Sequence, residues 1–213
     1  MPPESAESRG PDRRPLASRS TPWAQWLAAR LAASAVTPNQ ISVLSMLFAA
    51  VGCALIALGR GPIAWLGAAV CVQLRLLCNL LDGMAAIEGG KSSPAGALYN
   101  ELPDRVSDSL LLVPLGYAAG WDWLGWLAAL LAAKTAYVRV LGGALGQRQD
   151  FSGVMAKQRR MAVLTLGLIA QSVEAPLWGS RFALFTAGII IAAGSALTCW
   201  TRTVAIARRL EAA

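Results

Sequence analysis

Residues 79–108 read NLLDGMAAIEGGKSSPAGALYNELPDRVSD and set Asp82, Glu88, Glu101, Asp104 and Asp108 between two hydrophobic runs. Clustered carboxylates do two kinds of chemistry: they bind hard cations and they move protons. A carboxylate in hydrocarbon costs about 2.5–3.5 kcal/mol on insertion scales, so acids embedded there line an aqueous cavity or hold an ion. Helical geometry gathers them. At about 100° per residue, Asn100, Glu101, Asp104 and Asp108 share one face of a helix, and Asn79 and Asp82 are neighbours on the helix before it. The loop between, residues 87 to 96, carries Gly, Ser and Pro and suits a tight turn, so the two helices can oppose rows of oxygen ligands. The chain has no histidine, and oxygen donors without imidazole or thiolate select Mg²⁺ or Mn²⁺, with Ca²⁺ also open. Small residues, Gly83, Ala85, Ala86, Gly96 and Ala97, leave room for a pyrophosphate or a substrate backbone beside the acids. Glu88 reads as a solvated loop charge.

A second group is basic. Arg139 sits near one end of an apolar run, and Lys157, Arg159 and Arg160 open the next, an arrangement suited to a phosphate. Arg159 reads as a surface anchor. Arg75 stands one turn from Asn79 and two from Asp82, where it can serve as counter-ion to the carboxylates. Lys134, near mid-span, either snorkels or faces the cavity.

The elements that must position these groups are membrane helices. Hydrophobic residues make up 55% of the 213 and charged residues 15%, which excludes an ordinary soluble domain. Several apolar runs reach the roughly 20 residues that a spanning helix needs, and none alternates as a membrane strand does. The reading is an all-α integral membrane fold: a six-helix bundle with spans near 41–59, 62–86, 97–119, 121–146, 160–177 and 182–202. Most Lys and Arg fall in the N-terminus, alternate loops and the C-terminus, with Arg60 and Arg181 on the other side. The positive-inside rule then puts both termini in the cytoplasm. The net charge of +7 is explained by anionic lipid head groups without nucleic acid. Residues 1–20, rich in Pro, Ser and Arg, read as a disordered tail. Residues 21–36 read as an amphipathic interfacial helix capped by Thr21, with Pro22 in its first turn and Trp23, Trp26, Leu27 and Leu31 at helical spacing; a helix packed on the bundle is the alternative. Residues 37–210 form the membrane domain. Cys53, Cys71, Cys78 and Cys199 read as packing residues without a disulfide or metal role.

The acidic stretch resembles the signature of the CDP-alcohol phosphatidyltransferases, D-x2-D-G-x2-A-R-x8-G-x3-D-x3-D. Laid without a gap it finds Asp82, Gly83, Ala86, Gly96 and Asp104 in place, and TPNQIS, residues 37 to 42, resembles the start of that family's first span. The departures are Asn79 and Asn100 at the first and third aspartate positions and Ile87 at the arginine; Glu101 and Asp108 can restore the lost charge. The resemblance implies a metal site of Asp82, Asn79, Asn100 and Asp104 helped by Glu101 or Asp108, with Asp104 as general base. It implies Gly83, Ala86 and Gly96 around the CDP moiety, and Arg139, Lys157 and Arg160 on an acceptor or lipid phosphate. It also implies a homodimer.

The function expected is transfer of a phosphatidyl group from CDP-diacylglycerol to an alcohol acceptor at the inner membrane, with Mg²⁺ or Mn²⁺ and release of CMP. The alternative is a catalytically impaired relative that binds nucleotide or lipid. An ion transporter built on the same acids is a weaker third reading, since no inverted repeat is visible.

Overall fold

The computed structural model describes residues 21–59, 61–87, 90 and 94–212. Seven α-helices account for nearly all of them: α1 Pro22–Ala32, α2 Pro38–Leu58, α3 Pro62–Ile87, α4 Gly96–Ala119, α5 Asp122–Ala144, α6 Lys157–Trp178 and α7 Phe182–Glu211. The starts are written locally. In TPNQ, Pro38 fits the first helical turn while the Thr37 hydroxyl accepts from the Gln40 N–H and the Gln40 side chain accepts from the Thr37 N–H, a reciprocal capping box that begins α2. At the start of α7 the cap comes from the preceding helix: the Glu174 carboxylate accepts from the backbone N–H groups of Phe182 and Ala183 and from the Ser180 hydroxyl.

Five of these helices, α2, α3, α5, α6 and α7, are long and apolar enough to cross a membrane. The chain is a multi-pass membrane protein. The helix expected as the third span, α4, forms over 24 residues but carries Glu101, Asp104, Arg105 and Asp108, so it does not qualify on hydropathy alone. Its charges are covered by neighbours: α4 packs on α2, α5 and α7, while α3 lies between α2 and α6. The shared core is apolar, with Leu111, Leu112 and Leu115 of α4 against Val72 of α3, Leu124 and Ala128 of α5, Leu164 and Leu168 of α6, and Leu184 and Ile191 of α7.

Helix ends differ from expectation in places. Helix α1 stops at Ala32, short of residue 36, and Thr21 makes no capping side-chain hydrogen bond. Ala24 and Ala28, one turn apart, bury against Leu80 and Met84 of α3, whereas Trp23 and Trp26 stay exposed. Helix α7 runs on to Glu211, well past residue 202. The tail 1–20, Arg60, Glu88 and Lys91 lie outside the described residues. All four cysteines are free thiols.

Glycines let neighbouring helices approach closely. A Cβ on Gly116 would stand 2.3 Å from the Gly125 backbone nitrogen, and one on Gly125 would stand 2.4 Å from the Val113 carbonyl oxygen, so α4 and α5 touch backbone to backbone. Gly146, by contrast, has nothing within 4 Å of such a Cβ and serves the turn after α5 with φ +81°. Gly116→Ala is therefore expected to destabilise the bundle by about 1–3 kcal/mol through overpacking. Thermal unfolding in detergent checks this: an unchanged midpoint would refute the backbone contact, and Gly146→Ala is the control for strain without overpacking.

Candidate active site

Four helices converge on the acidic stretch. On α3, Arg75, Asn79 and Asp82 recur at positions i, i+4 and i+7 and share a face; on α4, Glu101, Asp104 and Asp108 share one at i, i+3 and i+7. Lys157 and Arg160 open α6, and Ser42 completes the group from α2. Asp82 is 4% exposed and its Oδ2 accepts from the Ser42 hydroxyl at 2.6 Å. Asp104 is 7% exposed, with both of its carboxylate oxygens 2.5 Å from the Lys157 ammonium; Arg75 and Arg105 stand farther off, at 3.5 and 3.6 Å.

One turn deeper, Asp108 is enclosed. Its two oxygens accept from Arg75 at 2.7 Å and from Arg160 at 2.6 Å, and both guanidinium groups are buried. One acid thus ties α3, α4 and α6 together. Two cations share it, and Nε and Nη1 of Arg75 and Nε of Arg160 find no hydrogen-bond partner among the described residues. Glu101 turns away to a third cation, Nη2 of Arg139 on α5, at 2.5 Å. The same guanidinium donates to Gln149 and stacks over the Phe151 ring at 5.0 Å.

This geometry divides the ligand set that the spacing suggested. Among the described residues no three acidic, histidine or cysteine side chains converge as metal ligands. Asp108 is bound to two arginines inside the protein, so it is a structural anchor and not a member of an open site, and Glu101 belongs to Arg139. Arg160, expected to receive a phosphate, is 1% exposed and committed to Asp108. Arg75 is the counter-ion expected. Asn79 keeps its place beside Asp82, with its buried Nδ2 unpartnered; Asn100 is exposed on the first turns of α4, Gly83 and Ala86 are half-buried after Asp82, and Gly96 begins α4. Lys134 lies on an exposed face of α5, away from the acids.

What remains at the mouth suits one hard cation. Asp82 and Asp104 offer carboxylate oxygens, and Asn79 and Asn100 offer amide oxygens. The unpartnered end of the Asn79 amide is the observation that tests the fit, because an amide turned about its last bond presents oxygen there instead of nitrogen. The Lys157 ammonium on both oxygens of Asp104 marks the same place as one for positive charge.

Two features were not expected from the sequence. Ser42 lies within the TPNQIS segment, but only the packing of α2 on α3 shows that it holds Asp82. Arg202, grouped above with surface cations of the C-terminus, is 5% exposed and donates to the carbonyls of Ser152 and Thr135. It pins the α5–α6 connection onto the bundle, together with the Met155 N–H donating to the Thr198 hydroxyl. Gly153 is required there, since its φ is +134° and a Cβ would meet Thr198 at 2.4 Å. In this connection burial raises the pKa of Asp150, but hydrogen bonds from Ser152 and the charges of Arg202 and Arg209 outweigh it and hold the carboxyl below its ordinary range.

No protein-family model matches the chain. Individual proteins do. It is 36% identical over 138 residues to the bifunctional IPC transferase and DIPP synthase of Rubrobacter xylanophilus, a match covering 62% of this chain and 31% of that protein; the chain thus spans about a third of that relative. It is 26% identical over 187 residues to the phosphatidylinositol phosphate synthase of Mycobacteroides abscessus, covering 84% of this chain and 81% of the relative. The fold is that of the phosphatidylinositol phosphate synthase of Mycobacterium tuberculosis. Against its structure with CDP-DAG bound the TM-score is 0.70, at 21% identity over 86% of this chain and 92% of that one. Against its complex with manganese and citrate the TM-score is 0.72, at 21% identity over 86% and 88% of the two chains.

Because Asp108 neutralises two buried guanidinium groups, Asp108→Asn is expected to cost about 3–5 kcal/mol of stability. Asp82→Asn, which leaves no cation directly unpaired, is expected to cost far less. Unfolding midpoints in detergent distinguish them, and equal midpoints for the two variants would show that Asp108 is not the anchor.

Proposed function

We propose that this chain is a member of the CDP-alcohol phosphatidyltransferase family, whose signature and fold it resembles, and that it moves a phosphatidyl group from CDP-diacylglycerol to an alcohol acceptor and releases CMP. The observation that carries this reading is the pairing of Asp82 and Asp104, in the signature spacing, on adjacent helices of a fold like that of a structure with CDP-DAG bound. The M. abscessus relative makes phosphatidylinositol phosphate by name, which favours a polyol acceptor.

The residues divide the work. Asp104 takes the proton of the acceptor hydroxyl as its oxygen attacks the phosphorus of the phosphatidyl group; the bond from that phosphorus to the bridging oxygen breaks, and its electron pair leaves with CMP. Lys157, resting on Asp104 before substrate arrives, exchanges it for a phosphate oxygen and so frees the base. Ser42 fixes the orientation of Asp82. Gly83, Ala86 and Gly96 supply the small surface against which nucleotide and pyrophosphate lie. Mg²⁺ or Mn²⁺ held by Asp82 and Asp104 with Asn79 and Asn100 supplies, when bound, charge stabilisation on the bridging and leaving oxygens. Arg139, with Gln149 and Phe151, forms the acceptor side.

In the membrane, α4 is the sixth span, admitted because neighbouring cations pair its acids. Helix α1 lies at the interface with Trp23 and Trp26 at head-group depth. Both termini face the cytoplasm, and substrate enters from that leaflet. The bundle works as a homodimer, as the family resemblance implies. A second reading, a family member that binds nucleotide without turnover, draws on Asn79, Asn100 and Ile87 and separates from the first in the same assay.

Purified protein in detergent, given CDP-diacylglycerol, Mg²⁺ or Mn²⁺ and a pool of polyols and polyol phosphates, is expected to release CMP, and EDTA is expected to stop it. Loss of a general base lowers rate by about 10²–10⁴-fold; Asp104→Asn is expected to fall in that range or below, and Asp82→Asn to lose activity as well. Wild-type rates in either variant would refute the assignment, and nucleotide binding without CMP would favour the second reading.

A further inference from the structure

The acids available to a cation at this site can be counted. Of the five in the acidic stretch, Glu88 lies outside the described residues, Glu101 is bonded to Arg139 at 2.5 Å, and Asp108 is bonded to Arg75 and Arg160 at 2.7 and 2.6 Å. The two residues able to replace the charge lost at Asn79 and Asn100 are therefore committed elsewhere, one to a neighbouring helix and one to the core. Among the described residues two carboxylates remain, Asp82 and Asp104. A fixed cation is already among them, because the Lys157 ammonium is 2.5 Å from both oxygens of Asp104 and Arg75 lies 3.5 Å away.

Two carboxylates balance one divalent ion. A second would bring the metal charge to twice theirs, beside an ammonium and a guanidinium in a region of low dielectric where like charges repel strongly. Amides coordinate hard cations through oxygen but contribute no charge, so Asn79 and Asn100 can complete the sphere of one ion and cannot neutralise another. Two-metal sites for phosphoryl chemistry use the pair to stabilise attacking and leaving oxygens together; here the second positive charge is covalently attached to α6.

We infer that this chain uses a single divalent cation, between Asp82 and Asp104, and that the Lys157 ammonium serves as the second positive charge at the transferring phosphate. The inference rests on the transferase reading above and adds the number of ions and the role of Lys157. It also explains the pattern of departures: Asn79 and Asn100 are the residues that a one-cation site beside a fixed ammonium calls for.

The test is the number of Mn²⁺ ions bound by the full-length protein in detergent without nucleotide, counted by electron paramagnetic resonance of free Mn²⁺. One per chain is expected; two, or none, would overturn the inference. Asn79→Asp combined with Asn100→Asp is expected to bind two, and a double variant that stays at one would show that the amides do not limit the count. Should the double variant fold poorly, Asn100→Asp alone changes an exposed position and is expected to tighten Mn²⁺ at least tenfold, with an unchanged Kd counting as refutation. Lys157→Met is expected to tighten Mn²⁺ at least tenfold because the fixed charge sharing Asp104 is gone; unchanged or weaker binding would refute its role. CMP formation by the same preparation separates the two claims. Two ions with CMP would end the one-cation inference and keep the transferase, whereas one ion without CMP would end the transferase.

Discussion

The carboxylate of Asp108, shared by Arg75 and Arg160, is the contact on which the rest of the site depends. Three charges stand where the bundle excludes both water and lipid, and none is tolerable alone. They hold each other, and in doing so they fix helices α3, α4 and α6 in rotation and in depth. A helix that slid by one turn or rotated by one residue would take Asp108 away from both guanidinium groups. The registers that follow from this are what put Lys157 on Asp104, and Asp82 with its Ser42 partner on the adjacent face. Apolar packing among Leu111, Leu112, Leu115, Leu164 and Leu168 supplies contact area, but such contacts are tolerant of small slips, whereas the ion triad is not.

Along α4 the acids are sorted by depth. Asp108 is sealed, Asp104 is buried at the mouth, and the Glu101 side chain is 36% exposed. Each meets a different helix: Asp108 meets α3 and α6, Asp104 meets the first residue of α6, and Glu101 meets α5. One face with a four-residue and a three-residue step thus places one acid in the core, one at the mouth and one against α5. The separation leaves Asp104 able to change partners without loosening the bundle, because the anchoring acid one turn below keeps both of its own.

Much of the fold is legible in the sequence, since hydropathy, helical period and turn residues are local signals. The runs at 41–59 and 62–86 appear as α2 and α3, the TPNQ pattern appears as a capping box, and the spacing of Asp104 and Asp108 does bring both inward. Partner choice is not local. Whether Glu101 points to the metal ligands or to Arg139 depends on the rotation of α4 against α5, and that rotation is set by Gly116 meeting Gly125, a contact no one-helix periodicity reveals. Arg160 follows two other basic residues and so reads as a phosphate or surface group, until Asp108 is seen facing it across the bundle. Arg202 stands at what hydropathy takes for the end of a span, yet α7 continues and the α5–α6 connection folds over it. That α4 fails a test of hydropathy alone has the same origin: its acids are acceptable only in company, and the company is on other helices.

A second set of contacts fixes the α5–α6 connection and Arg139 on the bundle. Arg202 binds the Ser152 and Thr135 carbonyls, Thr198 accepts from the Met155 N–H, and Arg139 gathers Glu101, Gln149 and Phe151. A preorganised wall reduces the ordering cost of binding and keeps its dipoles in place as charge moves. The Arg139 guanidinium is already neutralised by Glu101, so an anion approaching it would compete with a carboxylate, while an uncharged hydroxyl compound would meet Arg139 and Glu101 together as a donor and an acceptor. Preference for charge at this arginine is therefore a difference between two interactions, and Glu101, which the signature does not contain, is the residue on which that difference turns.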